Sequence, residues 1–350
     1  GWLDGDRIAF VAVTGTTTAL YSIKRDGSGL ETLIENGPIF TGMSLSRDRK
    51  HLAALASTPL HPPDVFYASV GNREMIRLTT SNPQIEEVRL PVQEVIRWKA
   101  RDGLEIEGLL VKPVGYREGT RYPLIVKVHG GPEAAYLNRW NTYYGGLYLL
   151  ASHGFMVLMP NYRGSTGRGI QFSKADHGDL GGGELTDILD GIDYLAELGL
   201  IDPDRVGIGG GSYGGYLSAL AATKYTDRFK AAIVFAGITN WHSFTGTTDI
   251  PYENSLVHWN LWPYDEPELA WDRSAMGHIG EATTPILIIH GEEDLRVPIS
   301  QGEELYTAMA VKGVPVKFVR YPRAGHGLSE RAHQMDFLLR TLSWYESHLK

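Results

Sequence analysis

From about Pro91 to the end of the chain, short apolar segments alternate with longer segments of helical periodicity. The predicted strands are Leu124–Val128, Phe155–Pro160, Val206–Gly209, Ala231–Phe235, Ile286–Ile289 and Val316–Tyr321, and the predicted helices are Glu184–Leu198, Tyr213–Lys224, Ser300–Lys312 and Glu330–Leu349. This alternation predicts an α/β fold with a doubly wound, mostly parallel sheet and helices on both faces. Ligands of such sheets bind at the carboxyl ends of the strands, so the residues just after each strand are the functional candidates.

The first part of the chain, up to about Asn82, consists of short alternating segments separated by turn signals, a pattern typical of β-hairpins. Similar segments surround Tyr21 and Tyr67, which are 46 residues apart, close to the length of one four-stranded propeller blade. We therefore predict a partial β-propeller of about two blades over residues 1–85 and an α/β domain over residues 86–350. Because two blades cannot close a ring, we expect a processed product or a piece of a longer protein, with the rest of the propeller upstream.

Composition excludes several classes of function. The chain has 33 basic and 41 acidic residues, a net charge of −8, and no basic block, which argues against a nucleic-acid partner. Its apolar runs are too short to cross a membrane. It has no cysteine, so disulfides, thiolate ligands and cysteine nucleophiles are excluded. Metal-site and phosphate-loop motifs are missing, and we expect neither a metal nor an organic cofactor.

One serine lies in a glycine-rich turn between a predicted strand and a predicted helix. The segment Gly210–Gly214 fits the G-x-S-x-G nucleophile elbow, in which a sharp turn holds the serine hydroxyl above the sheet. Starting from Gly209, the same glycines also fit the dinucleotide-binding pattern G-x-G-x-x-G. That pattern requires an acidic residue at the end of the next strand, whereas Ala231–Phe235 is followed by alanine and glycine. The sequence therefore favours an elbow, with Ser212 as the nucleophile.

An elbow of this type requires an acid and then a histidine, each placed after a later strand. Three carboxylates, Glu292, Glu293 and Asp294, follow the predicted strand that ends at Ile289. Any of the three fits; we prefer Asp294 because the chain then turns back towards a helix. His326 follows the last predicted strand and stands between two glycines. The order serine, acid, histidine predicts a catalytic triad.

A serine nucleophile also needs N–H donors for the oxyanion that forms on the substrate carbonyl. The backbone N–H of Tyr213, directly after the serine, is one candidate. The second is expected in the loop after the third strand of the sheet, here His129–Pro132. Proline has no N–H, so we predict that Gly131 donates.

Six motifs occur in chain order and together resemble the catalytic domain of prolyl-oligopeptidase family serine peptidases. They are HGGP (129–132), NYRGSTGRG (161–169), GGGSYGGY (209–216), TDRFKAAI (226–233), HGEEDLRVP (290–298) and AGHG (324–327). Within the family they look most like the acylaminoacyl-peptidase and dipeptidyl-peptidase branches. The resemblance covers about residues 91–350 and implies an α/β-hydrolase fold, with the hairpin region similar to the last propeller blades.

The resemblance also implies roles for particular residues. Ser212, Asp294 and His326 match the triad, and Gly131 and Tyr213 match the oxyanion donors. It further implies that three residues line the pocket for the substrate residue before the scissile bond, namely Trp241, Phe244 and Val297.

The predicted function is that of a serine peptidase that cleaves short peptides, as an exopeptidase of the acylaminoacyl-peptidase or dipeptidyl-peptidase type. Family members that remove dipeptides anchor the substrate amine through propeller residues outside this chain, so the exopeptidase type stays open. The alternatives are a carboxylesterase and a non-catalytic binding protein on the same fold. We expect a cytoplasmic protein that associates with the missing propeller segment; homo-oligomer formation stays open.

Overall fold

The computed structural model of the chain describes residues 1–72, 74–141 and 146–350. Its strands are β1 (Arg7–Thr14), β2 (Thr17–Lys24), β3 (Glu31–Ile34), β4 (Ile39–Leu45), β5 (His51–Thr58), β6 (His61–Ser69), β7 (Ile76–Arg77), β8 (Gln93–Lys99), β9 (Glu105–Val111), β10 (Tyr122–Val128), β11 (Met156–Asn161), β12 (Ile201–Gly211), β13 (Ala231–Phe235), β14 (Ile286–Gly291) and β15 (Val316–Tyr321). Its α-helices are α1 (Leu147–Ser152), α2 (Ile170–Ser173), α3 (Gly183–Glu197), α4 (Tyr213–Lys224), α5 (Trp241–Thr245), α6 (Pro251–Glu253), α7 (Pro267–Asp272), α8 (Ser300–Val311) and α9 (Arg331–Leu349). Short 3₁₀ turns are found at Pro83–Glu87, Thr226–Arg228 and Ala275–His278, and a π-helical turn at Asn254–Trp259.

The N-terminal part of the chain forms two small antiparallel sheets. One has the order β1-β2-β3 and the other the order β4-β5-β6-β7. Leu20, Phe40, Leu52 and Phe66 from the two sheets belong to one buried cluster. The all-β character of this segment is confirmed, although β3, β4 and β7 were not predicted. The assignment to propeller blades and the boundary near residue 85 stay predictions.

The largest described sheet has eight strands in the order β15-β14-β13-β12-β10-β11-β9-β8. Its six predicted strands, β10 to β15, pair in parallel, and β9 runs antiparallel to both β11 and β8. The predicted α/β-hydrolase fold is therefore confirmed. The antiparallel pair β8 and β9 was not predicted from the sequence. Its second strand is buried from Ile106 to Val111, but Glu107 and Gly108 interrupt the continuous apolar run by which the other buried strands were predicted.

Helices cover both faces of this sheet. Along β10, Leu124 and Val126 pack in the cluster that contains α3 and α4, whereas Ile125 packs in the cluster that contains α1 and α9. This division follows from the two-residue period of a strand. In α4 every residue from Tyr213 to Thr223 is buried. A helix that is buried on all sides fixes the loop before it firmly, and here that loop holds Ser212.

The sheet topology brings three loops to one edge. Strands β12, β13, β14 and β15 run parallel, with Gly211 opposite Phe235 and Gly291 opposite Tyr321 at their carboxyl ends. The segments that follow these ends therefore emerge on the same side of the sheet. They contain the predicted serine, acid and histidine.

Candidate active site

Ser212 lies in a sharp turn between β12 and α4. Its backbone has φ of 59° and ψ of −124°, a conformation that side-chain-bearing residues rarely adopt and that costs of order 1–3 kcal/mol. The glycine at position 214 is required because the end of β10 lies against the turn. A Cβ atom there would lie 2.2 Å from the Val128 carbonyl oxygen. The turn has the local structure of a nucleophile elbow, with the serine held in a strained conformation.

The side chains of His326 and Asp294 are joined by a hydrogen bond. Nδ1 of His326 lies 2.8 Å from Oδ2 of Asp294, whose side chain is buried. The other carboxylate oxygen, Oδ1, accepts hydrogen bonds from the backbone N–H groups of Arg296 and Val297, each at 3.0 Å. Of the three acidic residues that the sequence offered in this loop, Asp294 is the one that contacts the histidine. Its carboxylate is fixed from both sides.

Asp294 is ionised over the whole range of physiological pH. Burial raises the pKa of its carboxyl, but hydrogen bonds from His290 and His326 outweigh burial and lower the pKa to about 2. His290 is fully buried at the end of β14, and its Nε2 lies 3.4 Å from Asp294 Oδ2 and 2.7 Å from the Val297 carbonyl oxygen. Sequence reasoning assigned no role to His290, because an HG dipeptide at a strand end does not reveal what its ring contacts.

Ser212 and His326 line the same cavity, whose volume is about 460 Å³. His326 is partly exposed, with 32% of its side chain accessible. Among the described residues no hydrogen bond joins the Ser212 hydroxyl to the imidazole. Catalytic hydrogen bonds are often long in a free enzyme and tighten when substrate binds.

The loop predicted to supply an oxyanion donor lies directly beside the serine. A Cβ atom on Gly130 would lie 3.2 Å from Cβ of Ser212 and 2.9 Å from the carbonyl oxygen of Gly211, so only glycine fits at this contact. Gly131 is the next residue. Tyr213 is the first residue of α4, and its N–H therefore has no carbonyl partner within the helix. The structure thus brings both predicted donor segments next to Ser212.

His129 fixes this loop in a way that the sequence did not reveal. Its ring stacks on Tyr162 with centroids 4.3 Å apart. Its Nδ1 lies 2.8 Å from the Gly130 carbonyl oxygen and its Nε2 lies 2.9 Å from the Ser165 hydroxyl. Burial lowers the pKa of His129 to about 4, so the ring is neutral at physiological pH. A carbonyl can only accept, so Nδ1 carries the proton and Nε2 accepts from Ser165.

The three residues predicted to line the substrate pocket are all buried. Trp241 and Phe244 make an edge-to-face contact with ring centroids 5.6 Å apart, and Trp241 also packs on Trp259 at 4.7 Å. Val297 is buried beside Asp294. Its backbone N–H donates to Asp294 Oδ1, and its carbonyl oxygen lies within hydrogen-bond distance of Nε2 of His290. None of the three belongs to the described lining of the cavity that holds Ser212. Their role in substrate binding stays a prediction.

The described part of the chain offers neither a metal-binding cluster nor a membrane-spanning helix. Within residues 1–72, 74–141 and 146–350, no cluster of three or more histidine, aspartate or glutamate side chains could hold a metal ion. Among the helices in these ranges, none combines the length and the apolar character needed to span a bilayer.

The sequence profile of the Prolyl oligopeptidase family matches residues 140–350, which include the elbow, the acidic loop and the histidine loop. The chain belongs to this family. Membership in the prolyl oligopeptidase family agrees with a nucleophile elbow at Ser212 and not with a dinucleotide-binding turn. The family that six short sequence motifs predicted is therefore confirmed.

Individual relatives extend the similarity to the N-terminal sheets. Uncharacterized peptidase YuxL of Bacillus subtilis (strain 168) is 35% identical over 340 residues, covering 95% of this chain and 50% of that protein. Acylamino-acid-releasing enzyme of Rattus norvegicus is 29% identical over 370 residues, covering 99% and 49%. A solved structure, acylaminoacyl peptidase in complex with Z-Gly-Gly-Phe-chloromethyl ketone, has a TM-score of 0.86 at 26% identity and covers 99% of this chain and 55% of that one. The chain spans about half the length of the curated relatives it matches.

Proposed function

We propose that this chain carries the catalytic machinery of a serine peptidase that hydrolyses short peptides, as an exopeptidase of the acylaminoacyl-peptidase or dipeptidyl-peptidase type. The observation that carries the proposal is the 2.8 Å hydrogen bond between His326 and a buried, ionised Asp294, on a cavity shared with the strained Ser212. In this proposal the three residues form the catalytic triad.

The reaction begins when the Ser212 hydroxyl oxygen attacks the substrate carbonyl carbon and Nε2 of His326 takes the hydroxyl proton. The tetrahedral intermediate carries a negative oxygen, which accepts hydrogen bonds from the backbone N–H groups of Tyr213 and Gly131. His326 then gives its proton to the leaving amine, and an acyl-enzyme remains on the serine. Water repeats these steps and releases the acid.

Asp294 keeps the imidazole in the tautomer that this reaction needs. Its Oδ2 accepts from Nδ1 of His326, so the other nitrogen, Nε2, is free of a proton and faces the substrate side. When His326 becomes protonated, the adjacent negative charge stabilises the imidazolium. The carboxylate stays ionised while this happens because its own pKa is about 2.

Support for the substrate class comes from the relatives. One relative is named for releasing acylated amino acids, and another was solved with a blocked peptide that places phenylalanine next to its reactive group. The buried side chains of Trp241 and Phe244 are large and apolar. We propose that N-blocked or short peptides are the substrates, with Trp241, Phe244 and Val297 lining the pocket for an apolar residue before the scissile bond.

The proposal extends to partners and location. Because the chain spans half the length of its relatives, we propose that its N-terminal sheets belong to a propeller completed by an upstream segment. Size-exclusion chromatography coupled to light scattering would measure whether the 350-residue chain forms a homo-oligomer. A cytoplasmic location is a prediction that cell fractionation would test.

A panel of acyl-peptide and aminoacyl anilides, with esters of the same acyl groups, tests the proposed activity. We expect the chain to hydrolyse anilides as well as esters, and Ser212→Ala to lose both activities. Ser347→Ala, which removes an exposed hydroxyl on α9, is the matched control and should keep full activity. Turnover of esters alone would identify a carboxylesterase, and no turnover of either class would identify a binding protein. Both results contradict the proposal.

A further inference from the structure

A buried carboxyl group lies beneath the residue that follows the nucleophile. Glu184, in the first turn of α3, is fully buried. Its Oε1 accepts a hydrogen bond from the phenolic hydroxyl of Tyr213. Both of its oxygens lie 3.1 Å from the backbone nitrogen of Gly181, which donates to them. The carboxyl therefore connects the turn before α3 to the first residue of α4.

Placing a carboxyl group in this position is unfavourable unless polar partners compensate. Burial raises the pKa of Glu184 to about 8. The titratable groups around it are Asp176, whose charge raises this pKa further, and the hydroxyls of Tyr162, Tyr213 and Tyr216. No salt bridge joins Glu184 to a basic side chain among the residues that the structure describes. Simple ion pairing therefore does not explain why an acid stands here.

Tyr213 is fixed both at its backbone and at its phenolic hydroxyl. Its backbone follows the strained Ser212, and its ring is buried with its hydroxyl on Glu184. The next turn of α4 is attached to the same region, since the Tyr216 hydroxyl lies 3.0 Å from the Leu180 carbonyl oxygen and 2.8 Å from that of Arg273. The two tyrosine rings pack with centroids 5.1 Å apart. Of the two tyrosines, only Tyr213 also carries a proposed oxyanion donor.

We propose that Glu184 is a positioning residue for the oxyanion site: by holding the Tyr213 hydroxyl, it fixes the direction of the Tyr213 backbone N–H beside Ser212. The inference rests on the proposed function, because it assigns Glu184 an effect on the transition state of that reaction. Donors that are already oriented towards the developing charge need no rearrangement during the reaction, which is the source of their large effect on rate. A carboxyl group that fixes the orientation of such a donor therefore affects kcat more strongly than it affects the affinity for the substrate.

The test is a double-mutant cycle on the 350-residue chain. Tyr213→Phe removes the hydroxyl and Glu184→Leu removes the acceptor. Each should lower kcat by about 10-fold with little change in KM, less than the roughly 10²-fold lost when an oxyanion donor is removed. The double variant should be no slower than the single variants, because all three break the same bond. Glu184→Gln keeps an oxygen acceptor of the same size and should retain most of the activity.

Affinity for a peptide aldehyde gives a second measurement that a general structural role would not affect. The aldehyde adds to the serine while the hydroxyl proton passes to His326, and the adduct carries an oxyanion; the peptide alcohol of the same sequence has no carbonyl and cannot form one. Tyr213→Phe and Glu184→Leu should weaken the binding of the aldehyde about 10-fold and leave the affinity for the peptide alcohol unchanged. Tyr216→Phe is the matched control, since it removes a neighbouring buried hydroxyl from the same helix. It should lower the melting temperature without changing kcat by more than about 2-fold.

Each outcome has a separate meaning. If the unaltered chain fails to react with an organophosphonate, the proposed function itself is wrong. If it reacts, but Tyr213→Phe keeps full kcat and full aldehyde affinity, the role of Glu184 is overturned. The inference is also overturned if Tyr216→Phe loses as much kcat as Tyr213→Phe. Melting curves of all variants confirm that the comparison is between folded proteins.

Discussion

Position 214 lies so close to Val128 that a Cβ atom on Gly214 would come within 2.2 Å of the Val128 carbonyl oxygen. This contact joins the start of α4 to the carboxyl end of β10, the strand that leads into the loop at 129–132. It therefore connects the proposed nucleophile, Ser212, to the proposed oxyanion loop through the backbone.

Replacing this glycine should damage the fold as well as the site. We expect Gly214→Ala to lower the free energy of unfolding by about 3 kcal/mol or more, because the obstructing atom belongs to the backbone of a central strand. Gly280→Ala is the control, since a Cβ there meets nothing within 4 Å. Denaturant unfolding of the two variants measures the difference, and equal stability would contradict the close packing of the elbow.

Substituting the acid of the proposed triad should affect catalysis far more than folding. In Asp294→Asn the side chain keeps its shape but no longer favours the Nδ1–H tautomer of His326, and we expect kcat to fall by about 10⁴-fold. Glu293→Gln changes the adjacent, exposed acid and should leave kcat unchanged. Steady-state kinetics on an anilide substrate compares the two. Equal losses would mean that the loop as a whole, and not Asp294, supports the reaction.

The buried acid beneath Tyr213 should make stability depend on pH. The folded chain holds a proton on Glu184 up to a pKa of about 8, whereas the unfolded chain releases it near the ordinary glutamate pKa of 4.5. The stability contributed by this proton is therefore fully present below about pH 4.5 and is lost as pH rises through 8.

Glu184→Gln carries no such proton and isolates the effect. Between pH 5 and 9 the unfolding free energy of the unaltered chain should fall relative to that of Glu184→Gln by more than about 1.4 kcal/mol, the value of one pKa unit. Asp176, whose pKa is raised to about 7 by burial, acts in the same direction in both proteins; only the part of its effect that is independent of Glu184 cancels in the difference. A difference that does not change with pH would show that Glu184 is ionised in the folded chain.

The neutral ring of His129 leads to a prediction about the oxyanion loop. His129→Phe keeps a ring to stack on Tyr162 but loses the hydrogen bonds to Gly130 and Ser165, so we expect kcat to fall about 10-fold. Because the pKa of His129 is about 4, its loss should not move the acid side of the pH–rate profile above pH 5. A shifted profile would show that His129, and not a neighbour, titrates during the reaction.

Sequence patterns were sufficient for the parallel strands and for the order of the site residues, and particular residues show why. Ser212, Asp294 and His326 each stand just after a strand, and parallel strands bring their carboxyl ends together without any long-range information. Glu184 could not be found in this way. In the sequence it is an ordinary acid in the first turn of a helix, and its partner Tyr213 lies 29 residues further along the chain.

Strand β9 and the predicted pocket residues show a second limit. β9 is buried from Ile106, but Glu107 and Gly108 lie within it, so its sequence does not show the continuous apolar run typical of a buried strand. Trp241 and Phe244 were placed in the substrate pocket by resemblance alone, and in the structure they are as buried as core residues. Their sequence positions do not distinguish a pocket lining from a core, because both consist of large apolar side chains.

The most direct test of the central claim is the site and rate of covalent labelling by an organophosphonate, followed by mass spectrometry of the digested protein. Our account predicts one adduct per chain, on Ser212, and labelling at least about 10³-fold slower in a folded His326→Ala variant, which has no base to take the hydroxyl proton. An adduct on another residue, or equal labelling rates in the two proteins, would contradict it.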